Sequence, residues 1–350
     1  MTKAAELAKM GEVLTNSQIG GRRNIVINGG MNVAQRGTSS TGLGASSGYF
    51  TLDRFQTSFG STAGRLTMSQ AAVTDLAGFA NALKLDCTTA DTSIAAGENF
   101  RLQTLLEGQD LQQLKKGTSS AEKFTVSFYV KGNANATYMV ELYDGDNNRH
   151  NTQQFAVTSS WNRISLTFDG DTTGAFDNDN AVSLYLNFWL HAGSTYTGGT
   201  YTANTWASNT NANRAVGISS FFDSTDRTLE ITGLQMEVGE QATPFEHKSF
   251  GEELALCQRY YTQSGYGGAA TLRSHGPGIN KLVIFHFPQT MRAVPTCAGT
   301  AGASTYTIVG QGDYTNGDYI EARKNVFNYH APDSHASRRC QAGFKADAEL

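Results

Sequence analysis

The stretch Leu229–Tyr261, LEITGLQMEVGEQATPFEHKSFGEELALCQRYY, decides how the rest of the chain is interpreted. Over Leu229–Val238, apolar and polar residues alternate, which is typical of a strand with one buried face. Gly239 ends that strand. Ser249 and Glu252 then have the spacing of a capping box at a helix start. The stretch therefore predicts the end of a sheet, a short helix, and a boundary between two bodies.

The predicted helix has an apolar face. Phe250, Leu254, Cys257 and Tyr261 share that face, and Gly265 is placed to end the helix. Such a face needs a covering partner. We therefore expect Leu254, Cys257 and Tyr261 to pack at an interface between subunits.

Upstream of this stretch, short segments that alternate apolar and polar residues recur, with turn residues between them. Such segments without intervening helices are typical of an antiparallel sandwich or jelly roll. A further strand is expected at Asn24–Asn28, and one or two helical turns at Leu105–Lys116. The segments predicted as strands are Arg65–Gln70, Asn81–Asp86, Arg101–Leu106, Phe124–Val130, Tyr138–Tyr143, Gln154–Val157, Trp161–Phe168, Val182–Leu190, Arg214–Phe222 and Leu229–Val238. The predicted fold class is all-β: an antiparallel jelly-roll β-sandwich with a short helix, a small C-terminal β domain and a short N-terminal helical arm.

The domain organisation follows from these patterns. The predicted regions are an N-terminal helical docking arm at 1–23, the jelly-roll sandwich at 24–247, a linker helix at 248–264 and a small C-terminal β domain at 265–350. A helix of about 12 residues is marginal alone in water, so Leu7, Met10 and Leu14 of the arm are expected to dock on a partner. A frayed terminus is the alternative. The C-terminal body is small, which favours association with further copies.

The low charge of the chain argues against some functions on physical grounds. Charged residues make up 17% of the sequence, the net charge is −4, and no run of Lys or Arg exceeds two residues. Nucleic-acid binding needs a basic surface and is therefore not expected. No segment approaches about 18 consecutive apolar residues, so membrane insertion is not expected.

The cysteines lack CxxC spacing and are interpreted as reduced thiols of a chain made in a cytoplasm. They are Cys87, Cys257, Cys297 and Cys340.

The sequence lacks the motifs that carry common catalytic chemistry. There is no HExxH, GxxxxGK[ST] or strand-associated GxGxxG, and the seven histidines are scattered. His247, which lies in the opening stretch, is interpreted as a structural histidine. We therefore predict that the protein is not an enzyme.

Acidic turns offer one candidate for a metal site. Asp and Asn residues cluster at Tyr143–Asn148, Asp169–Asp171 and Asp177–Asp179. Calcium takes six to eight such oxygen ligands. However, Asp-Gly is also the common turn of a β-hairpin. A plain turn is the favoured interpretation, bound calcium is the alternative, and no other cofactor is expected.

A long polar segment, His191–Arg214, carries aromatic residues among amides and hydroxyls. Aromatic rings stack on the apolar faces of sugars while amides bind their hydroxyls, so this composition fits carbohydrate contact. The residues predicted to bind carbohydrate are Trp189, Tyr196, Tyr201, Trp206 and Asn213. The alternative is that Trp206 and the tyrosines only anchor a long loop to the sandwich.

Several of these motifs resemble a known family. In order along the chain, they resemble bacteriophage tail-fibre and virion structural proteins. The motifs are NIVINGGMNVAQRGT at Asn24–Thr38, YFTLDRF at Tyr49–Phe55, Trp206 with NRAVG at Asn213–Gly217, ITGLQMEVG at Ile231–Gly239, TPFE at Thr243–Glu246 and GEELALCQRYY at Gly251–Tyr261. Two further segments, Tyr143–Asp146 and Ser160–Phe168, are similar to jelly rolls of carbohydrate-binding modules. The segment Pro288–Pro295 is loosely similar to the C-terminal bodies of such fibres.

This resemblance implies a virion component that is made in the host cytoplasm and is mounted on the tail or particle surface. It implies a homotrimer whose N-terminal arm contacts other virion proteins and whose opposite end attaches to a host-surface glycan. The chain has no stalk repeats, which favours a short fibre, a knob or a capsid-surface protein. The alternatives are a capsid or tail decoration or connector protein with a purely structural role and, less favoured, a capsule depolymerase.

Overall fold

The chain divides into two compact units, Met1–Lys248 and Ser249–Leu350, in the computed structural model. The structure describes residues 3–4, 23–263, 272–273, 281–299, 306–309, 313–314, 319–324, 326–331, 339–341 and 344–350. The predicted docking residues Leu7, Met10 and Leu14 lie outside the described residues. The part of the chain that is described contains no helix long and apolar enough to cross a bilayer.

Two antiparallel sheets form the first unit. Its strands are β1 (Ser39–Leu43), β2 (Gly48–Tyr49), β3 (Gln56–Gly60), β4 (Arg65–Ala72), β5 (Asn81–Thr89), β6 (Asn99–Glu107), β7 (Phe124–Gly132), β8 (Ala136–Asp144), β9 (Arg149–Val157), β10 (Asn162–Phe168), β11 (Val182–Ala192), β12 (Ala207–Ser208) and β13 (Thr228–Val238). One sheet has the order β1-β4-β5-β13-β7-β10, and the other has the order β12-β9-β8-β11-β6-β3-β2. The predicted all-β jelly-roll sandwich is thereby confirmed.

The core between the two sheets follows from the period-2 alternation of the strands. In β7, Phe128 faces inward and meets Phe155 of β9 and Phe188 of β11 edge-to-face, at ring centroid distances of 5.1 Å and 5.0 Å. All three rings are buried. Burying an aromatic side chain of this kind contributes about 1.5–3 kcal/mol. The intervening residues of each strand therefore face outward, on the outer surfaces of the two sheets.

Short helical turns lie at Gly108–Asp110, Gln112–Leu114, Ser194–Thr197 and Asn211–Asn213. The first two occupy Leu105–Lys116, where the sequence predicts one or two helical turns. Two predicted strands are wrong. Arg214–Phe222 runs as turns and irregular backbone. Asn24–Asn28 enters a buried turn, because Asn28 takes a positive φ of 62° and its side chain bonds the backbone of Val33 and Asp53.

The second unit begins with the helix Phe250–Gln258. Ser249 Oγ accepts from the Glu252 amide, and the Glu252 carboxylate accepts from the Ser249 amide, so the predicted capping box is present. The strands are β14 (Tyr261–Gln263), β15 (Leu272–Arg273), β16 (Lys281–His286), β17 (Thr296–Gly299), β18 (Tyr306–Val309), β19 (Asp313–Tyr314), β20 (Tyr319–Arg323), β21 (Val326–Ala331), β22 (Arg339–Gln341) and β23 (Phe344–Asp347). They form three small antiparallel sheets: β14-β23-β17, β15-β22-β18-β19 and β16-β21-β20.

The predicted subunit interface on this helix requires correction. The helix ends at Gln258, so Tyr261 belongs to β14 instead, while Gly265 lies outside the described residues. Cys257 is 0% exposed and Tyr261 is 4% exposed, so both are already covered within one chain. Leu254 is half-buried. Two of the three predicted interface residues therefore have no surface left to offer a second copy.

Three of the cysteines are described with their side chains. Cys87 and Cys257 are buried, and Cys297 is half-buried. Burial raises the pKa of the Cys87 thiol, and it raises the pKa of Cys297 to about 11. Both groups are therefore protonated and unreactive near neutral pH.

Candidate functional site

The outward face of the seven-stranded sheet carries a row of polar side chains. The strand register places five polar side chains in one row across it, because each is directly opposite the next on the neighbouring strand. In order across the sheet they are Gln56, Gln103, Asn187, Glu141 and Thr152. All except Gln56 are buried. Buried polar side chains must form hydrogen bonds within the protein or with a bound ligand.

Glu141 is the centre of a buried cluster, which we name the Glu141 cluster: Glu141, His150, Asn187, Trp189 and Arg214. Arg214 bonds both carboxylate oxygens, with Nε–Oε1 at 2.6 Å and Nη2–Oε2 at 2.8 Å. Asn187 Nδ2 and Trp189 Nε1 donate to Oε2 at 2.9 Å and 2.7 Å. His150 Nδ1 lies 3.3 Å from Oε1. The carboxylate is thus surrounded on all sides.

The electrostatics of this cluster keep Glu141 ionised. Burial alone would raise the pKa of Glu141, but the positive charge of Arg214 and the hydrogen bonds from His150, Arg214 and Trp189 outweigh it. They hold the pKa of this carboxyl well below its usual range. Reciprocally, Glu141 raises the pKa of Arg214 against the effect of burial. A fully buried and fully bonded carboxylate has no position from which to act as a general acid or base.

The cluster fastens the segment 193–218 onto the sheet. Ala215 and Tyr196 pack with Trp189 and Met139 in a small hydrophobic cluster, which Tyr201 also joins. The Tyr201 hydroxyl accepts from the backbone amide of Gln154 at 3.0 Å. Because Arg214 bonds Glu141 from within this segment, the segment forms a fixed cover over part of the sheet.

The structure places the predicted carbohydrate-binding residues mainly in this anchoring role. Trp189 is 0% exposed, which does not fit direct contact with a sugar. Trp206 donates its Nε1–H to the Asp169 carbonyl at 2.7 Å, and Asn213 Oδ1 accepts from the Thr200 amide at 2.9 Å. Tyr196, Tyr201, Trp206 and Asn213 are half-buried. Direct sugar contact by these four residues stays a prediction.

Beside the cover, the outward face retains a half-buried surface, which we name the tyrosine patch: Gln56, Arg101, Tyr143 and Tyr185. Tyr143 and Tyr185 are directly opposite on β8 and β11, with ring centroids 5.5 Å apart. The Arg101 guanidinium lies 5.0 Å from the centroid of the Trp189 ring. The outward alternation of Val182–Leu190 was the sequence signal for Tyr185, whereas nothing local linked it to Tyr143 or Arg101.

The layer beneath the tyrosine patch has unused hydrogen-bonding capacity. Among the described residues, Gln103 Oε1, Asn187 Oδ1 and Arg101 Nε have no hydrogen-bond partner although all three atoms are buried. Arg101 forms no salt bridge with any described carboxylate, and its Nη2 donates to Ser58 Oγ at 2.9 Å. Burial and the like charge of Arg214 lower the pKa of Arg101. An additional anionic or hydroxyl-bearing group would therefore be stabilised here.

The acidic turns considered for calcium have a different arrangement. The hairpin between β8 and β9 is confirmed, with Asp144 at its start. Lys116 Nζ lies 2.5 Å from Asp144 Oδ2 and 3.1 Å from Asp171 Oδ2, and Arg149 also pairs with Asp171. These two buried carboxylates are thus already neutralised by cations of the chain. The position that calcium would need between them is filled by an ammonium group.

Comparisons with known proteins give only weak similarities. No protein-family model matches the sequence, and no curated protein matches it significantly. The fold is similar to a CBM4 structure, with 9% identity and a TM-score of 0.33 over 61% of this chain and 98% of that chain. It is also similar to a CBM61 structure in complex with β-1,4-galactotriose, with 10% identity and a TM-score of 0.31 over 63% of this chain and 99% of that chain.

A third similar structure is a family 11 carbohydrate-binding module of a Clostridium thermocellum cellulosomal cellulase. It has 12% identity and a TM-score of 0.28, over 59% of this chain and 98% of that chain. At this degree of similarity, neither a ligand nor a function can be transferred to this chain. Its function must be inferred from its own residues.

Proposed function

We propose that the protein is a non-catalytic glycan-binding protein whose ligand lies across the tyrosine patch. The observation that carries this proposal is the pair of half-buried rings of Tyr143 and Tyr185. They lie above the buried amides of Gln103 and Asn187, whose side-chain oxygens have no hydrogen-bond partner among the described residues. Two adjacent tyrosines supply apolar faces for the C–H surface of a sugar ring. Gln56 and Arg101 supply polar groups at the rim, which is the composition of sites that bind polar ligands.

The ligand we favour is an acidic glycan, one that carries a carboxylate, sulfate or phosphate. Arg101 and Arg214 contribute two positive charges to this face, and Glu141 neutralises only one of them through its bonds to Arg214. Arg101 has no carboxylate partner within the described residues. A guanidinium binds a planar anionic group through two parallel hydrogen bonds, which favours a uronate-type carboxylate.

The wider role we propose is attachment of a phage particle to its host surface. The resemblance of the spaced motifs between Asn24 and Tyr261 to tail-fibre and virion structural proteins supports this role. The protein would then be a homotrimer on the virion, docked to other virion proteins through residues 1–23 and made in the host cytoplasm. Sedimentation of the full chain at micromolar concentration tests the trimer, and a monomer there would contradict it.

A binding experiment tests the glycan site. Purified full-length protein is titrated with oligogalacturonate and with the matched neutral oligogalactose. Tyr185→Ala is expected to weaken binding about tenfold, because one stacking ring is lost. Tyr129→Ala is the matched control, since Tyr129 is an equally half-buried tyrosine on the outward face of the other sheet. Equal affinities of the two variants would refute the site.

The charge preference has its own test. Arg101→Gln is expected to abolish the preference for oligogalacturonate over the neutral sugar, and to remove the salt dependence of binding. If wild type binds neither sugar, whereas particles carrying Tyr185→Ala adsorb normally but assemble poorly, the decoration role replaces the proposal.

A further inference from the structure

A second cluster of polar side chains lies at one end of the sandwich, where β6 begins and where β5 and β11 end. Asp91 follows β5, Glu98 immediately precedes β6, and His191 lies near the end of β11. One metal-ligating atom from each residue lies within 4.8 Å of the other two. All three residues are buried, with His191 at 0%, Asp91 at 5% and Glu98 at 8% exposed. Three potential ligands from three separate elements thus meet at one place.

A β-bulge directs His191 into this cluster. In β11, Trp189 is opposite Arg101 and His191 is opposite Phe100, so Leu190 has no partner across the strand pair. Without the bulge, strict alternation would turn His191 to the same outward face as Trp189. Instead the imidazole packs edge-on against the Phe222 ring, with centroids 5.2 Å apart. The bulge therefore re-aims the one nitrogen ligand of the cluster.

The second nitrogen of the ring is held by a hydrogen bond. His191 Nδ1 lies 2.8 Å from Ser220 Oγ, which itself accepts from the Phe222 amide at 3.1 Å. When Nδ1 carries the proton, Nε2 presents its lone pair to the carboxylates. This is the arrangement of metal-binding histidines, in which a second group fixes the tautomer and the ring orientation. The carboxylates are oriented in the same way.

Backbone and hydroxyl groups orient the two acids. Asp91 Oδ2 accepts from Thr62 Oγ1 and from the Ala63 amide, both at 2.8 Å. Glu98 Oε2 accepts from the Ala95 amide at 3.0 Å. These bonds keep both side chains turned toward His191.

Within this cluster, the burial of His191 Nε2 is not offset by any hydrogen bond among the described residues. This nitrogen is fully buried. Its distance to Glu98 Oε2 is 3.8 Å, too long for a hydrogen bond. Two bonds of about 2.1 Å to a shared cation can span that distance, and ligand atoms as far as 4.8 Å apart would have to approach by about 1.4 Å to reach tetrahedral geometry. A buried lone pair that faces two acids is costly unless a cation lies between them.

We propose that Asp91, Glu98 and His191 bind a divalent first-row transition metal ion, for which Zn²⁺ is the best fit. One imidazole nitrogen with two carboxylate oxygens suits zinc, and two negative charges neutralise it. Calcium fits poorly, because it takes six to eight oxygen ligands. The bound ion joins the β5–β6 connection and the end of β11, two parts of the chain about 100 residues apart. This site is independent of the proposed glycan binding.

The test uses the full chain, stripped with EDTA and dialysed. Titration with ZnCl₂ is followed by calorimetry and by thermal unfolding, with CaCl₂ in parallel. We expect one equivalent of zinc at this site, and a rise of about 5 °C or more in Tm at a hundredfold excess over Kd. Calcium is expected to cause no comparable rise. No zinc binding, or an equal response to calcium, overturns the proposal.

Variants locate the bound ion. Glu98→Gln and His191→Asn are expected to lose the zinc-dependent rise in Tm, whereas His247→Asn keeps it, since His247 is an exposed histidine elsewhere on the same unit. If His191→Asn fails to fold, Glu98→Gln still decides, because its side chain lies at the rim with 10% exposure. Retention of zinc binding by Glu98→Gln with unchanged affinity places the ion on other residues and overturns the assignment.

Discussion

Glu141 shows how one residue controls the functional face. Five nitrogen atoms lie within hydrogen-bond distance of its two carboxylate oxygens, and no part of the residue reaches solvent. The carboxylate therefore binds no external ligand itself. It orients Trp189 and Asn187 beneath the tyrosine patch, and it holds Arg214 and with it the segment 193–218.

Replacement of Arg214 is expected to lower the free energy of unfolding strongly. Arg214→Ala leaves a fully buried carboxylate without its cation, and removal of one partner from a buried pair costs about 3–5 kcal/mol. Chemical denaturation measures the loss in the free energy of unfolding. Arg163→Ala is the matched control, because Arg163 is an exposed arginine that also faces a tyrosine ring, and its loss is expected to cost less than about 1 kcal/mol. Similar losses in both variants would contradict the role given to Glu141.

The low pKa of Glu141 gives a pH dependence of stability. A carboxyl whose pKa is lower in the folded state binds fewer protons when folded, so its contribution is fully present above the unfolded pKa, near 4.3. It is lost as the pH falls below that value toward the folded pKa. We expect the stability difference between wild type and Glu141→Gln to be constant from pH 7 to about 5 and to shrink below pH 4. If the stability difference between wild type and Glu141→Gln grows as the pH falls, the pKa of Glu141 is not lowered in the folded state.

Among the elements, the β8–β9 hairpin and the acidic segment after β10 are joined by a buried charge triad. Lys116 bonds Asp144 and Asp171, and its side chain is 4% exposed. The Lys116 ammonium also lies near the Phe176 and Trp206 rings, at 5.1 Å and 5.5 Å from their centroids. Trp206 therefore helps to cover a structural ion pair. This explains an aromatic side chain in a polar loop without requiring a sugar.

We expect Lys116→Met to destabilise the protein by about 3–5 kcal/mol, because two buried carboxylates lose their shared cation. Lys123 provides the matched control. It also contacts two carboxylates, those of Asp169 and Glu240, but its side chain is 48% exposed. Lys123→Met is expected to have a much smaller effect on the free energy of unfolding, since exposed pairs are screened by water. Equal losses in the free energy of unfolding for Lys116→Met and Lys123→Met would contradict the distinction between the buried and the exposed ion pairs.

At the scale of the whole molecule, the start and the end of the sandwich in the first unit are bonded together. The Asn24 amide donates to Glu246 Oε2 at 2.6 Å, and Asn24 Oδ1 accepts from the Met236 amide at 3.0 Å. Thr243 donates to both oxygens of the buried Glu237, through its amide at 2.9 Å and its hydroxyl at 2.6 Å. Residues 239–246 therefore complete the sandwich.

This closure predicts that a fragment of residues 23–248 folds alone. A fragment of residues 23–238 loses Glu246, which accepts from the Asn24 amide, and Thr243, which donates to Glu237. We expect this fragment to be about 1–3 kcal/mol less stable for each buried group left unsatisfied. Thermal unfolding of both fragments by near-ultraviolet circular dichroism measures the difference. Equal stability of the fragments would show that residues 239–248 are dispensable, and an unfolded longer fragment would contradict the independence of the unit.

The sequence by itself determined the local features of this protein. Alternation gave β7, β11 and β13, because a period of two depends only on neighbours along the chain. The capping box at Ser249 and the hairpin after Asp144 came from local chemistry for the same reason. The buried turn at Asn28 escaped prediction because its side chain bonds the backbone of Asp53, a contact across 25 residues.

The tertiary structure alone decided which residues make the functional face. Glu141 and Arg214 are 73 residues apart, and Tyr143 meets Tyr185 only through the register of β8 against β11. The same pairing buries Trp189, which composition alone suggests as a sugar-binding residue. Register depends on the packing of whole strands, and a shift by one residue turns every side chain to the opposite face. The site therefore could not be predicted before the strands were paired.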